Sequence, residues 1–198
     1  MNKKEEKEFE KYMRKTWSHV DLSTKEKLVA FHRKRNWGNG APPNAASIVY
    51  KYMAITRSNS LLDYGAGYGA FKQAIKKYQL STNYRQHRLD LNVHEYEPGV
   101  VGKDEDPPIC DVTVCFDVLE HIEPNKIDNV LQHIYDKTRK WAYVSICTVP
   151  ARKTFPDGQN LHLLVKESSW WLEKFKSNWD MLEVTITTGH VILLLIKK

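Results

Sequence analysis

Apolar residues along this chain follow two spacings. Ser60-Leu61-Leu62-Asp63-Tyr64 is a short apolar run ending on glycines, and beyond it Phe71, Ala74, Ile75 and Tyr78 share one helical face. The pattern predicts a strand, a glycine turn and a helix. Asp111-Val112-Thr113-Val114-Cys115-Phe116 is nearly continuous in apolar character, as in a parallel strand covered on both faces, and Ile127, Val130, Leu131 and Ile134 mark the helix after it. Trp141 to Cys147 repeats the strand signal, and Trp170, Trp171 and Phe175 belong to a last helix. Met181 to Thr188 and His190 to Ile196 flank Gly189 and predict a terminal pair of antiparallel strands.

Residues 1–58 carry helical rather than alternating patterns, broken at Ser18 to Ser23 and again at Trp37-Gly38-Asn39-Gly40-Ala41-Pro42-Pro43. A helix is predicted from Ala45, with Ile48, Val49 and Tyr52 at compatible spacing, ending near Arg57-Ser58-Asn59. The expected organisation is one domain over 1–198, a helical preface (1–58) followed by a Rossmann-like core (59–198). Its class is α/β, a mostly parallel sheet with helices on both faces and a C-terminal antiparallel strand pair.

Composition narrows the function classes. The 198 residues suffice for a core without disulfides or a structural metal, and six tryptophans and ten tyrosines are too many for a disordered chain. Cys110, Cys115 and Cys147 form no Cys-x-x-Cys pair and read as reduced thiols. No apolar stretch reaches the roughly 20 residues that span a bilayer, and Met1-Asn2-Lys3-Lys4-Glu5-Glu6 lacks the apolar segment of a signal peptide, so a cytoplasmic protein with no membrane partner is expected. The net charge of +6 fits an anionic partner, nucleic acid included. The charges are nevertheless scattered and interleaved with glutamates near the N-terminus, as on a solvated helix face.

The candidate chemistry starts at the glycine turn. In Asp63-Tyr64-Gly65-Ala66-Gly67-Tyr68-Gly69-Ala70, Gly65, Ala66, Gly67 and Gly69 let backbone approach a ligand where a helix N-terminus offers unpaired N–H groups. The same residues satisfy Gly-x-Gly-x-x-Ala, a dinucleotide fingerprint, so the glycines alone leave both nicotinamide and S-adenosylmethionine cofactors open. Asp63 discriminates, because a carboxylate at the strand end can meet an amino-acid ammonium that nicotinamide dinucleotides lack. The segment resembles motif I of class I S-adenosylmethionine-dependent methyltransferases. An acid at the end of the second strand is expected to accept the ribose hydroxyls. Asp90, about 20 residues beyond the glycines, and Glu97, at a Pro-Gly turn, compete for that role. Glu97 is preferred because Tyr96-Glu97-Pro98 is similar to the Tyr-acid-Pro segment of a group of small bacterial and viral methyltransferases. Only an acidic, proline-containing linker, 102–108, then precedes the strand at Asp111, so the third-strand region is expected to be shortened. Asp106 is the remaining candidate for the adenine.

Phe116-Asp117-Val118-Leu119-Glu120-His121-Ile122 places Asp117, Glu120 and His121 on one face of a helical turn. It resembles the Glu-Val-Leu-Glu-His stretch of ubiquinone-biosynthesis O-methyltransferases and its counterpart in small-RNA 2′-O-methyltransferases. That resemblance implies Asp117 at the cofactor and a divalent metal, Mg²⁺, Mn²⁺ or Zn²⁺, held by Asp117, Glu120, His121 and His162. The metal-free alternative makes His162 or His121 the general base. The segment from Val149 to Trp171 resembles the same small methyltransferases, with Arg152 and Lys153 expected to meet an anionic substrate; Trp170 either walls that substrate or, as is commoner for two tryptophans beginning a helix, packs with Trp171 in the core. The expected activity is methyl transfer to an oxygen or nitrogen of a small polar or anionic metabolite. The alternatives are an RNA 2′-O or base methyltransferase and a non-catalytic cofactor-binding protein.

Overall fold

The structure is a computed structural model and describes residues 40–81, 89–155 and 158–198. Residues 1–39 of the expected helical preface lie outside them. In chain order the elements are α1 (Ala45–Ile55), β1 (Ser60–Tyr64), α2 (Ala70–Ser81), β2 (Asn92–Tyr96), β3 (Cys110–Phe116), a 3-10 turn (Leu119–His121), α3 (Ile127–Lys137), β4 (Thr138–Cys147), α4 (Ser168–Lys176), β5 (Trp179–Thr187) and β6 (His190–Lys197).

The six strands form one sheet in the order β2-β1-β3-β4-β6-β5. β2, β1, β3 and β4 run parallel, and β6 is antiparallel to both of its neighbours. No strand or helix intervenes between Tyr96 and Cys110, so the third-strand region is reduced to a loop, as the short linker predicts.

Adjacent side chains of the central strands go to opposite faces. Leu61, Val112 and Val114 pack under Val49 and Met53 of α1 and Phe71 and Ile75 of α2. Leu62, Cys115, Val144 and Leu193 pack under Val130 and Ile134 of α3 and Trp171 and Phe175 of α4. Every residue of β3 is buried, which explains its lack of alternation. Each buried leucine or valine side chain contributes about 1.5–3 kcal/mol, so the two layers fix the strands whose carboxyl ends build the site.

Two boundaries differ from expectation. α1 stops at Ile55 because Arg57 takes a left-handed conformation (φ 48°) and Ser58 N–H bonds back to Met53 O at 2.8 Å. β4 starts at Thr138, ahead of the apolar run, because its polar first residues are used: Arg139 pairs with Asp111 at 2.8 Å and Lys140 donates to the Thr56 and Arg57 carbonyls. All three cysteines are free and buried, and no helix among the described residues is long and apolar enough to cross a membrane.

Candidate active site

The carboxyl ends of β1, β2, β3 and β4 open on a cavity of about 760 Å³. Its floor is the turn between β1 and α2, where Gly65, Gly67 and Gly69 all have positive φ (81°, 49° and 83°). A β-carbon on Gly65 would lie 2.2 Å from Val118 Cγ2, so the turn reaches its place only without a side chain there. The Gly65 and Ala66 amides donate to Tyr96 O at 2.8 and 3.0 Å, tying the turn to the end of β2.

Asp63 stands at the cavity wall just before this turn and is 4% exposed. Its Oδ2 is buried with no hydrogen-bond partner. Burial, reinforced by Glu95, pushes its carboxyl up to about 7. A buried, orphaned carboxylate oxygen beside an open cavity is suited to a cationic ligand group.

Glu97 follows β2 and also lines the cavity. Its Oε2 accepts the Gly67 amide and its Oε1 the Gly99 amide, both at 3.0 Å. Asp90 is exposed, precedes β2 and is not in the cavity wall. Asp106 is likewise outside the wall, bound to Lys137 at 2.5 Å and His133 at 3.1 Å.

The opposite wall begins at Asp117, whose left-handed backbone (φ 52°) ends β3. Its Oδ1 accepts Ser145 Oγ–H at 2.9 Å and its Oδ2 lies 3.7 Å from His190 Nε2. Burial raises the Asp117 carboxyl, against the lowering pulls of Ser145, His190 and His162. Gly40 backs it closely, since a β-carbon there would lie 2.8 Å from Asp117 Cβ.

Glu120, in the 3-10 turn, points inward and is fully buried. Its Oε1 accepts the Cys147 amide at 3.0 Å, and its Oε2 has no partner. Burial first, and Asp117 second, push it up to about 8. His162 Nδ1 lies 2.6 Å from Val149 O and His121 Nδ1 2.7 Å from Leu161 O. A carbonyl only accepts, so each Nδ1 carries a proton, which leaves Nε2 as the nitrogen that faces away from that bond. The two rings stand edge to face, 4.8 Å apart.

Of the residues with metal-ligand chemistry, Glu120, Cys147 and His162 bring one ligand atom each within 4.8 Å of one another. Asp117 and His121 fall outside that trio. Arg152 and Lys153 line the cavity, whereas Trp170 does not; it packs against the α4-side core with Lys174 5.1 Å above its ring.

Three participants escaped sequence reasoning. His190 reaches the cavity through the β5–β6 hairpin, and Glu95 and Lys103 meet beneath the glycine turn. Nothing local in the sequence tells that Lys103 returns to Glu95.

No protein-family model matches the chain, and no curated protein matches its sequence. Solved structures do match. The 1,6-didemethyltoxoflavin-N1-methyltransferase of Burkholderia thailandensis, with bound 1,6-didemethyltoxoflavin and S-adenosylhomocysteine, is 12% identical over 88% of this chain and 87% of that one, with a TM-score of 0.61. The DhpI–SAH complex is 14% identical over 90% of this chain and 98% of that one, at 0.56. Magnesium protoporphyrin IX methyltransferase of Synechocystis PCC 6803 with bound SAM is 11% identical over 92% and 100%, at 0.51. With its sheet order and its glycine turn after β1, the chain has the fold of the class I S-adenosylmethionine-dependent methyltransferases.

Proposed function

We propose that the protein is an S-adenosylmethionine-dependent methyltransferase acting on an oxygen or nitrogen of a small polar or anionic metabolite. The observation that carries this reading is the buried, partnerless Oδ2 of Asp63 beside a glycine turn in a cavity of about 760 Å³. That volume is within the usual range for a small-molecule site. Asp63 would take the amino-acid ammonium, and the Gly65–Gly69 turn would lie against the ligand with no side chain between. Glu97, already fixed to the turn through Gly67, would accept the ribose hydroxyls. Asp117 would close the pocket on the methionine side.

Bound there, S-adenosylmethionine supplies an electrophilic methyl group. The chain's part is then to align the acceptor and remove its proton. His162 does so through Nε2, its ring held by the Nδ1–H···O bond to Val149. His121, set edge-on against it, supports that orientation. Arg152 and Lys153 at the cavity wall suit an acidic acceptor. The small molecule bound by a structural neighbour, 1,6-didemethyltoxoflavin, also supports a small-molecule acceptor. The three buried free thiols fit a reducing, cytoplasmic setting.

A second reading adds a divalent metal, favoured by the unsatisfied Glu120 Oε2 within the Glu120, Cys147 and His162 trio. Glu120 and His162 would hold it, and it would lower the pKa of a bound hydroxyl.

Release of S-adenosylhomocysteine from a panel of small acceptors and oligonucleotides tests the acceptor class. Turnover on free metabolites supports the proposal. Turnover confined to oligonucleotides, with steep salt dependence, makes the protein a nucleic-acid methyltransferase. Cofactor binding with no transfer across the panel makes it a non-catalytic cofactor-binding protein.

A further inference from the structure

The loop after β2 closes on itself and then on the glycine turn. Val100 N–H donates to Glu97 O, Lys103 N–H to Val100 O, and Glu97 N–H to Lys103 O at 2.8 Å. The loop therefore presents the Glu97 and Lys103 side chains as one fixed unit. Both reach Gly67: its N–H donates to Glu97 Oε2 at 3.0 Å, and its carbonyl accepts Lys103 Nζ at 2.9 Å.

Lys103 Nζ also binds Glu95 Oε1 at 2.9 Å, while Lys72 of α2 binds Glu95 Oε2 at 2.8 Å. This cluster fits beneath the turn only because residue 69 is glycine: a β-carbon there would lie 2.3 Å from Glu95 Oε1 and 3.2 Å from Lys103 Nζ. Glu95 is the cross-strand partner of Asp63 in the β1–β2 register. Two acids are thus neighbours on adjacent strands, and the lysines stand with the one that is not at the cavity.

We propose that Lys103 is a positioning residue for the cofactor: it holds the Gly67 carbonyl and neutralises Glu95, so that Asp63 keeps its charge for the ligand's ammonium. The inference rests on the S-adenosylmethionine reading above. The charged groups acting on Asp63 are Glu95 and Glu97, which oppose its ionisation, and Lys103 and Lys72, which favour it; burial outweighs each. Removing Lys103 therefore leaves Asp63 facing a carboxylate that Lys72 alone compensates, and the loss falls on ligands that carry an ammonium.

The test is calorimetry on the full chain between pH 5.5 and 8.5 with two probes, S-adenosylhomocysteine and 5′-methylthioadenosine, which has the adenosine and thioether but no amino acid. Lys103→Met is expected to weaken S-adenosylhomocysteine about fivefold at pH 7, as a rise of about one unit from a pKa of about 7 implies, and 5′-methylthioadenosine by less than about twofold. The pH midpoint of S-adenosylhomocysteine binding moves up in Lys103→Met and down in Glu95→Gln, and Lys103→Arg restores affinity to within about threefold of wild type. Equal weakening of both probes, or an unmoved midpoint, overturns the proposal and leaves Lys103 a structural residue. Should Lys103→Met not fold, the downward shift in Glu95→Gln and the retention in Lys103→Arg decide it. A wild-type chain that binds neither probe instead removes the methyltransferase reading itself.

Discussion

The Gly67 amide donates to Glu97 Oε2 at 3.0 Å, so the acid at the end of β2 and the glycine turn after β1 form one surface. Asp90, the rival acid, is exposed and outside the cavity wall. Glu97→Ala is expected to weaken S-adenosylhomocysteine about 10- to 100-fold, since on the proposed reading it removes the ribose acceptors together with the anchor of the turn. Asp90→Ala should leave affinity within about twofold. Calorimetry on the two variants checks both.

The glycines are not equivalent. Gly65 and Gly102 both have positive φ, but a β-carbon at Gly65 would strike Val118 at 2.2 Å, whereas nothing lies within 4 Å of one at Gly102. Gly102→Ala should cost only the backbone penalty of about 1–2 kcal/mol. Gly65→Ala adds overpacking of about 1–3 kcal/mol and displaces the cavity floor. Urea unfolding should rank the variants in that order, and only Gly65→Ala should lose cofactor binding.

The legibility of this chain follows the range of the interactions. Strand, turn and helix at Ser60–Ser81 were plain because the apolar run, the glycines and the helical face are contiguous. β3 was plain because both of its faces are buried. The missing third strand was legible as a linker too short to hold one. What adjacency does not encode was missed: Lys103 under Gly67, and His190 facing Asp117 from the hairpin. The heptapeptide at Asp117 suggested three side chains on one face. In the structure Asp117 turns to Ser145 and His190, while Glu120 turns inward to Cys147, because the chain leaves β3 through a left-handed residue before its 3-10 turn. Trp170 and Trp171 were weighed as a substrate wall or as core, and both pack with the α4-side core.

Asp63 should cost the fold stability that binding recovers. Its folded pKa, about 7, lies above the ordinary 3.8. Between those values the folded state holds a proton that the unfolded state has lost, so this residue's contribution to stability falls as pH rises from about 4 to about 7 and stays low above that. Asp63→Asn is therefore expected to raise the Tm at pH 8, with little change at pH 4. It should also weaken S-adenosylhomocysteine by at least about tenfold, because the amide cannot pair with an ammonium as a carboxylate does. Thermal unfolding at the two pH values, with a binding titration at pH 8, reads both effects.

His162 and the metal reading separate in kinetics. His162→Gln should leave cofactor affinity within about threefold while lowering turnover about 10²- to 10⁴-fold, the range of a lost general base. Chelation with EDTA followed by dialysis should leave turnover unchanged if Nε2 of His162 takes the proton. Loss on chelation, with recovery on adding Mg²⁺, Mn²⁺ or Zn²⁺, would assign Glu120 and His162 to a metal instead.

The orphaned Oδ2 of Asp63 makes the central claim measurable without knowing the acceptor. Isothermal titration of the full chain at pH 8 with S-adenosylhomocysteine, and separately with NAD⁺, is the direct measurement. Saturable one-to-one binding of S-adenosylhomocysteine that is lost in Asp63→Asn, with no heat from NAD⁺, is the predicted result. Binding of NAD⁺ with none of S-adenosylhomocysteine would contradict it.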